Sequence, residues 1–121
     1  MGKKVLAVDD SKTMRDMVSF TLKGAGYEVM EAADGLLALE TLGSGSVDLV
    51  ITDINMPNMD GIDLVKALRQ NPAHSSTPIL VLTTESNDAK KNEGRAAGAT
   101  GWIVKPFEPE KLLKVVQKVC G

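Results

Sequence analysis

The sequence predicts an α/β domain built on a parallel, doubly wound sheet with helices on both faces. Three observations predict it. Five short apolar runs alternate strictly with five stretches of helical period along 121 residues. The runs are near-continuously apolar, as strands buried on both faces are. Each connection is long enough for a helical crossover, which parallel neighbours require. The length suits one unit spanning residues 1–121. At 12.9 kDa, surface scaling gives a folded area of about 6,300 Å², roughly a third of that of the unfolded chain.

The elements follow in order. Val5-Leu6-Ala7-Val8 is a buried strand that ends in polar residues. Met14, Met17, Val18, Thr21, Leu22 and Ala25 recur at helical spacing, and Gly24 and Gly26 supply a stop. Met14 and Met17 therefore read as core. Glu28-Val29-Met30-Glu31-Ala32 is a mixed strand suited to a sheet edge. Asp34 is placed to cap a helix through Leu36, Leu39 and Leu42, which ends at Gly43-Ser44-Gly45. Val47 to Thr52 is a buried strand. The loop Met56-Pro57-Asn58-Met59-Asp60-Gly61 follows, with Asp60 capping a helix on Leu64, Val65 and Leu68. Met56 and Met59 flank this loop and are expected to pack against it. His74, with Ser75 and Ser76, reads as a surface residue of a polar loop. Ile79-Leu80-Val81-Leu82 is a third buried strand after Pro78. Ala89 to Ala97 is a helix poor in apolar residues that contains Gly94, so its local stability is expected to be low. Trp102-Ile103-Val104 is the last strand. Pro109 opens a helix carrying Leu112, Val115, Val116 and Val119.

Composition narrows the function. With 43% hydrophobic and 25% charged residues, the chain is globular rather than disordered. A net charge of −2 argues against a binder of nucleic acid driven by phosphate neutralisation. No apolar run approaches the ~18 residues of a membrane span. Lys3 and Lys4 followed by a short apolar run and two aspartates do not make a signal peptide. The cytoplasm is the expected compartment. Cys120 is the one cysteine, which excludes an internal disulfide and a thiolate metal cage, and it reads as incidental. Charge is polarised: residues 1–63 hold eleven acids and five bases, and residues 64–121 hold five acids and nine bases. An acidic site and a more basic face follow.

In a doubly wound sheet the functional crevice lies beyond the carboxyl ends of the strands. The strands run into Asp9-Asp10, Thr52-Asp53, Thr83-Thr84 and Lys105-Pro106. Taken singly, an Asp-Asp pair before a helix suits capping, Asp53 a solvated loop, Thr83 a strand and Lys105 the surface. Their fall at one edge of one sheet weighs toward chemistry. Three carboxylates near one point repel, so a pKa must rise or a cation must compensate. Mg²⁺ suits such a site, because it takes one or two carboxylates, keeps waters and binds phosphate oxygens. A carboxylate is also a nucleophile toward phosphorus. Lys105 would supply positive charge, Thr83 a hydroxyl, and the loop after Asp53 a carbonyl ligand, that of Asn55.

Val8-Asp9-Asp10-Ser11, Asp53-Ile54-Asn55-Met56-Pro57-Asn58-Met59-Asp60-Gly61, Leu82-Thr83 and Val104-Lys105-Pro106-Phe107 together resemble the receiver domain of bacterial response regulators, over essentially the whole chain. The resemblance implies a flavodoxin-like strand order of 2-1-3-4-5. It implies that a histidine kinase phosphorylates Asp53. It assigns Mg²⁺ to Asp10, Asp53 and the Asn55 carbonyl, with Asp9 helping through water. It sets Thr83 and Lys105 against the phosphoryl group. In that family the threonine hydroxyl moves toward the phosphoryl group while an aromatic residue on strand five swings inward, and Trp102 occupies that aromatic position. The Lys105-Pro106 motif is typically cis in the family. Asp10-Ser11-Lys12-Thr13-Met14-Arg15, Asn55 and Glu85 are most similar to the stand-alone chemotaxis CheY type. That type implies a CheA-like kinase as donor, a flagellar motor switch component as target, a phosphatase as a further partner, and a monomer. Because the sequence stops at Gly121, output is expected through docking on helix four, strand five and helix five. A phosphorelay intermediate or phosphate sink is the alternative within the family. Outside it, a haloacid-dehalogenase-type phosphatase wants an Asp-x-Asp nucleophile on strand one, which Asp9-Asp10-Ser11 does not supply. A flavodoxin-like electron carrier would meet repulsion between the cofactor phosphate and Asp9-Asp10.

Overall fold

The computed structural model describes residues 3–43, 45–84 and 88–120. Ser44 of the expected helix stop, Glu85 of the CheY-type pattern and Gly121 lie outside them. The elements run β1 (Lys4–Val8), α1 (Lys12–Gly24), β2 (Glu28–Ala32), α2 (Gly35–Leu42), β3 (Leu49–Asp53), α3 (Gly61–Gln70), β4 (Ile79–Thr83), α4 (Asp88–Ala97), β5 (Gly101–Val104) and α5 (Pro109–Cys120), with a 3-10 turn at Pro72–His74 between α3 and β4. All strand pairs are parallel and the order is β2-β1-β3-β4-β5. The fold class and order are those expected, and β2 is the mixed edge strand. The third strand starts at Leu49, not Val47, and runs one residue further, to Asp53.

Side chains alternate across a strand, so the sheet supports two cores. Leu6, Val8, Val50, Ile79 and Val81 pack against Ala38 and Leu42 of α2 and Ile62, Leu64, Val65 and Leu68 of α3. Val5, Ala7, Leu49, Ile51, Leu80, Leu82 and Ile103 pack against Val18 and Leu22 of α1 and Leu112 and Val116 of α5. The accessible area is 6290 Å², matching the size expected from mass. No helix among the described residues is long and apolar enough to cross a membrane.

Capping sets the helix starts. Asp34 accepts from the Leu37 N–H at 2.8 Å and Asp60 from the Asp63 N–H at 2.8 Å, as expected. For α1 the cap is Ser11, whose Oγ accepts from the Met14 N–H. The capping reading of Asp9-Asp10 is thereby corrected: a hydroxyl caps α1, and Asp9 only accepts from the N–H of that cap residue. Three burial expectations are also corrected. Met17 is 46% exposed, because α1 turns Val18, Ser19 and Leu22 inward, and Met14 is only half-buried. Leu36 is exposed, because Gly35, Ala38 and Leu42 face the core. His74 is 1% exposed. The 3-10 turn, capped by Asn71, tucks it inward. The Arg69 guanidinium then donates to the carbonyls of His74, Thr77 and Gly98, fastening that turn to the turn before β5. Cys120 closes the α1/α5 core, and burial pushes its thiol up, away from reactivity.

Candidate functional site

The site forms where β1 and β3, neighbours at the centre of the sheet, deliver their carboxyl ends. The chain leaves β1 toward β2 and leaves β3 toward β4, so the crevice lies at the switch in direction. Asp9 and Asp10 follow β1, Asp53 ends β3, Thr83 ends β4 and Lys105 follows β5. Carboxylate oxygens of Asp9, Asp10 and Asp53 all lie within 4.8 Å of one another. Asp9 and Asp53 are buried, at 2% and 8% exposure, while Asp10 is exposed. Lys105 Nζ donates to Asp9 Oδ2 at 3.1 Å and stands 3.3 Å from Asp53 Oδ1. The Lys105-Pro106 peptide is cis, as the family motif implies.

Each group is held by backbone chemistry. Asp9 Oδ1 accepts from the Ser11 N–H at 2.9 Å, and the Asp9 carbonyl accepts from Arg15 at 2.6 Å. Asp53 Oδ1 accepts from the Ile54 N–H at 2.9 Å. With Lys105 on the same oxygen, Oδ2 is the oxygen of Asp53 that these contacts leave open. Burial pushes the Asp53 carboxyl up and Asp9 pushes it further, while the Lys105 ammonium pulls it back. Thr83 is buried, and its carbonyl accepts from the Lys105 N–H at 2.8 Å.

The loop between β3 and α3 folds back tightly over the site. Gly61 donates to the Ile54 carbonyl at 2.8 Å, and a Cβ at Gly61 would run into the Asp53 carbonyl oxygen, so only glycine fits. Asn58, at a left-handed φ of 68°, donates from Nδ2 to Asp34 Oδ2 at 2.9 Å, and the Gly35 N–H donates to the Met59 carbonyl. The α2 cap and the site loop are therefore one stapled unit. Met56 and Met59, expected to pack against the loop itself, pack instead against the α2/α3 core. Asn55 sits exposed in this loop. Trp102 lies on β5 two residues before Val104, the partner of Thr83, and on the same sheet face.

The expected Asp9, Asp10, Asp53 and Lys105 thus meet, although 96 residues separate Lys105 from Asp9. Sequence reasoning missed Ser11, Arg15 and the Asp34–Asn58 staple. A serine three residues before Met14 is a recognisable cap signal. A staple across 24 residues has no local signal.

A hard oxygen donor set fits Mg²⁺, which binds through one or two carboxylates. The Lys105 ammonium between Asp9 and Asp53 shows that the cluster draws positive charge.

Comparison with known proteins follows the same lines. Residues 5–117 match the model of the response regulator receiver domain. The chain is 42% identical over 120 residues to chemotaxis protein CheY1 of Helicobacter pylori, covering 98% of this chain and 97% of that one. It is similar to the solved structure of Vibrio cholerae chemotaxis protein CheY4, with a TM-score of 0.94, 55% identity, and coverage of 98% and 99%. It is also similar to the receiver domain of a Pseudomonas aeruginosa sensor histidine kinase, solved with magnesium coordinated in its active site cleft, with a TM-score of 0.92, 25% identity, and coverage of 100% and 99%.

Proposed function

This chain belongs to the response regulator receiver domain family, and from that membership we propose that Asp53 accepts a phosphoryl group from a histidine kinase. The observation that carries the reading is the meeting of three carboxylates with Lys105 at one end of the sheet. Asp53 Oδ2 bonds to phosphorus as the bond to the donor's imidazole nitrogen breaks, and the imidazole leaves. Lys105 offsets charge on the transferred group, and the Thr83 hydroxyl donates to it. Asp10, Asp53 and the Asn55 carbonyl, with Asp9 behind them, would hold Mg²⁺, which supplies neutralisation of the phosphoryl oxygens when bound. The module signals rather than turning over a substrate.

Output goes through docking on α4, β5 and α5, to a flagellar motor switch component in chemotaxis. Two things support this. The chemotaxis proteins above are near relatives over their whole length. A recess of about 480 Å³ also opens on this face, lined by Trp102, Val104, Phe107 and Lys111, in the half of the chain where bases outnumber acids. Donor and target are a CheA-like kinase and the motor switch, with a phosphatase as a further partner.

Intact mass after mixing with a small-molecule phosphodonor tests the core of the reading. The expected result is a gain of one phosphoryl group that requires Mg²⁺ and is absent in Asp53→Asn. An equal gain in the variant overturns the assignment. Pull-down of motor switch and kinase components, before and after phosphorylation, tests the chemotaxis role.

A further inference from the structure

Trp102 is the one tryptophan of the chain. Like Ala97 and Ala99 it packs against the α2/α3 core, and the far edge of its indole rests on α4 at Gly94. A methyl group built on Gly94 would lie 3.0 Å from both Cη2 and Cζ3 of the ring. Gly94 is buried, yet it sits inside a helix whose other described residues are exposed or half-buried, and mostly polar or small. Glycine is unfavourable in a helix interior, so its presence at a covered position of α4 calls for a reason, and the ring supplies it. The opposite edge is different. The indole Nε1–H is buried with no partner among the described residues.

We propose that Gly94 is the seat of Trp102, a gap in α4 cut for the indole edge, which makes Gly94 a positioning residue and couples the ring to the helix. The seat is held by apolar contact alone, and the unpartnered N–H works against it. A ring held this way leaves its seat when α4 shifts, without breaking a hydrogen bond. Trp102 lines the recess toward α5, and it lines a second recess of about 470 Å³ with Lys91, Arg95 and Thr100. Departure of the ring therefore reshapes both sides of the face. The consequence for signalling rests on the reading of that face as the output surface. The seat itself does not.

Two measurements on unphosphorylated protein test the seat. In Gly94→Ala the added methyl displaces the ring. Tryptophan emission shifts to the red, and acrylamide quenches it more readily than in the parent. The second is a cycle of melting temperatures with Trp102→Phe, whose shorter ring lacks the edge that meets Gly94. Gly94→Ala raises the melting temperature in the Trp102→Phe background, as alanine does in a helix. It raises it less, or lowers it, in the parent, with a difference of about 4 °C between backgrounds. Unchanged emission and quenching in Gly94→Ala, or equal shifts in the two backgrounds, overturns the seat. Either failure leaves the phosphoacceptor reading standing. A missing phosphoryl mass gain would remove that reading and leave the seat.

Discussion

Asp53 stands at 8% exposure, beside a second buried carboxylate, with one ammonium shared between the two. Its folded pKa lies above the ordinary carboxylate value. The folded state therefore binds a proton more readily than the unfolded chain does. The cost of the charge is fully present above the raised folded value, and it is relieved as pH falls through that value. Asp34 has the opposite sign. The Leu37 N–H and the Asn58 amide hold its carboxyl below the usual range, so its contribution is present at neutral pH and lost as pH falls through that lowered value. Mild acidification is expected to raise the stability of the metal-free protein before stronger acid lowers it. Asp53→Asn removes the rising limb and, at pH 7, stabilises by on the order of 1 kcal/mol, or about 4 °C in melting temperature. Thermal melts of both proteins from pH 4 to 8 without divalent metal check this, and a lower melting temperature for the variant at pH 7 contradicts it. At this scale the gathering of the site residues was legible in the sequence, since Asp9, Asp10, Asp53, Thr83 and Lys105 all stand at or just beyond the carboxyl ends of strands. His74 was not, because its burial depends on Arg69 reaching carbonyls contributed by two separate turns.

Among the elements, α2 and α4 depend on different things. The start of α2 rests on Asp34, whose two oxygens serve the Leu37 N–H and the Asn58 amide. Asp34→Ala is expected to cost about 1–2 kcal/mol, the upper part of the range for a lost cap, read as a lower denaturant midpoint. Asp34→Asn keeps an oxygen acceptor for the cap and is expected to recover most of the loss. Helix α4 is mean-hydropathy poor, carries Gly94, and packs chiefly on α3. Its backbone amides are expected to exchange with deuterium faster than those of α1, which buries Val18, Ser19 and Leu22. Equal protection of the two helices contradicts this. Element type and order were readable because apolar runs, caps and Gly or Pro stops agree along the chain. Which stripe of a helix turns inward was harder to read. In α1 and α2 the small residues Ser19, Gly35 and Ala38 are buried, Gly35 against Met59 of the site loop, while Met17 and Leu36 stay outside. Hydrophobicity alone favours the larger side chains, whereas close packing of a helix on a sheet favours the smaller ones.

For the whole molecule, the fold gathers like charges at one end of the sheet and must tolerate the result. Strand order β2-β1-β3 makes the proximity of Asp9, Asp10 and Asp53 unavoidable, and Lys105 compensates only the two buried members. Asp10 is exposed and has no ion pair or side-chain hydrogen bond among the described residues, so it adds repulsion to the cluster. A divalent cation bound by the folded cluster and not by the unfolded chain stabilises by mass action, about 2.7 kcal/mol at a hundred times its dissociation constant. Added Mg²⁺ is therefore expected to raise the melting temperature by roughly 10 °C or more near saturation. NaCl of matched ionic strength, which only screens, is expected to do far less. Asp10→Ala separates the two roles of the cluster. Asp10 is exposed and its removal relieves repulsion, so the metal-free variant is expected to melt at or slightly above the parent temperature, within about 0.5 kcal/mol. Its response to Mg²⁺ is expected to be largely lost. A variant that melts well below the parent without metal would make Asp10 a structural residue. One that keeps the full Mg²⁺ response would place the cation elsewhere on the molecule.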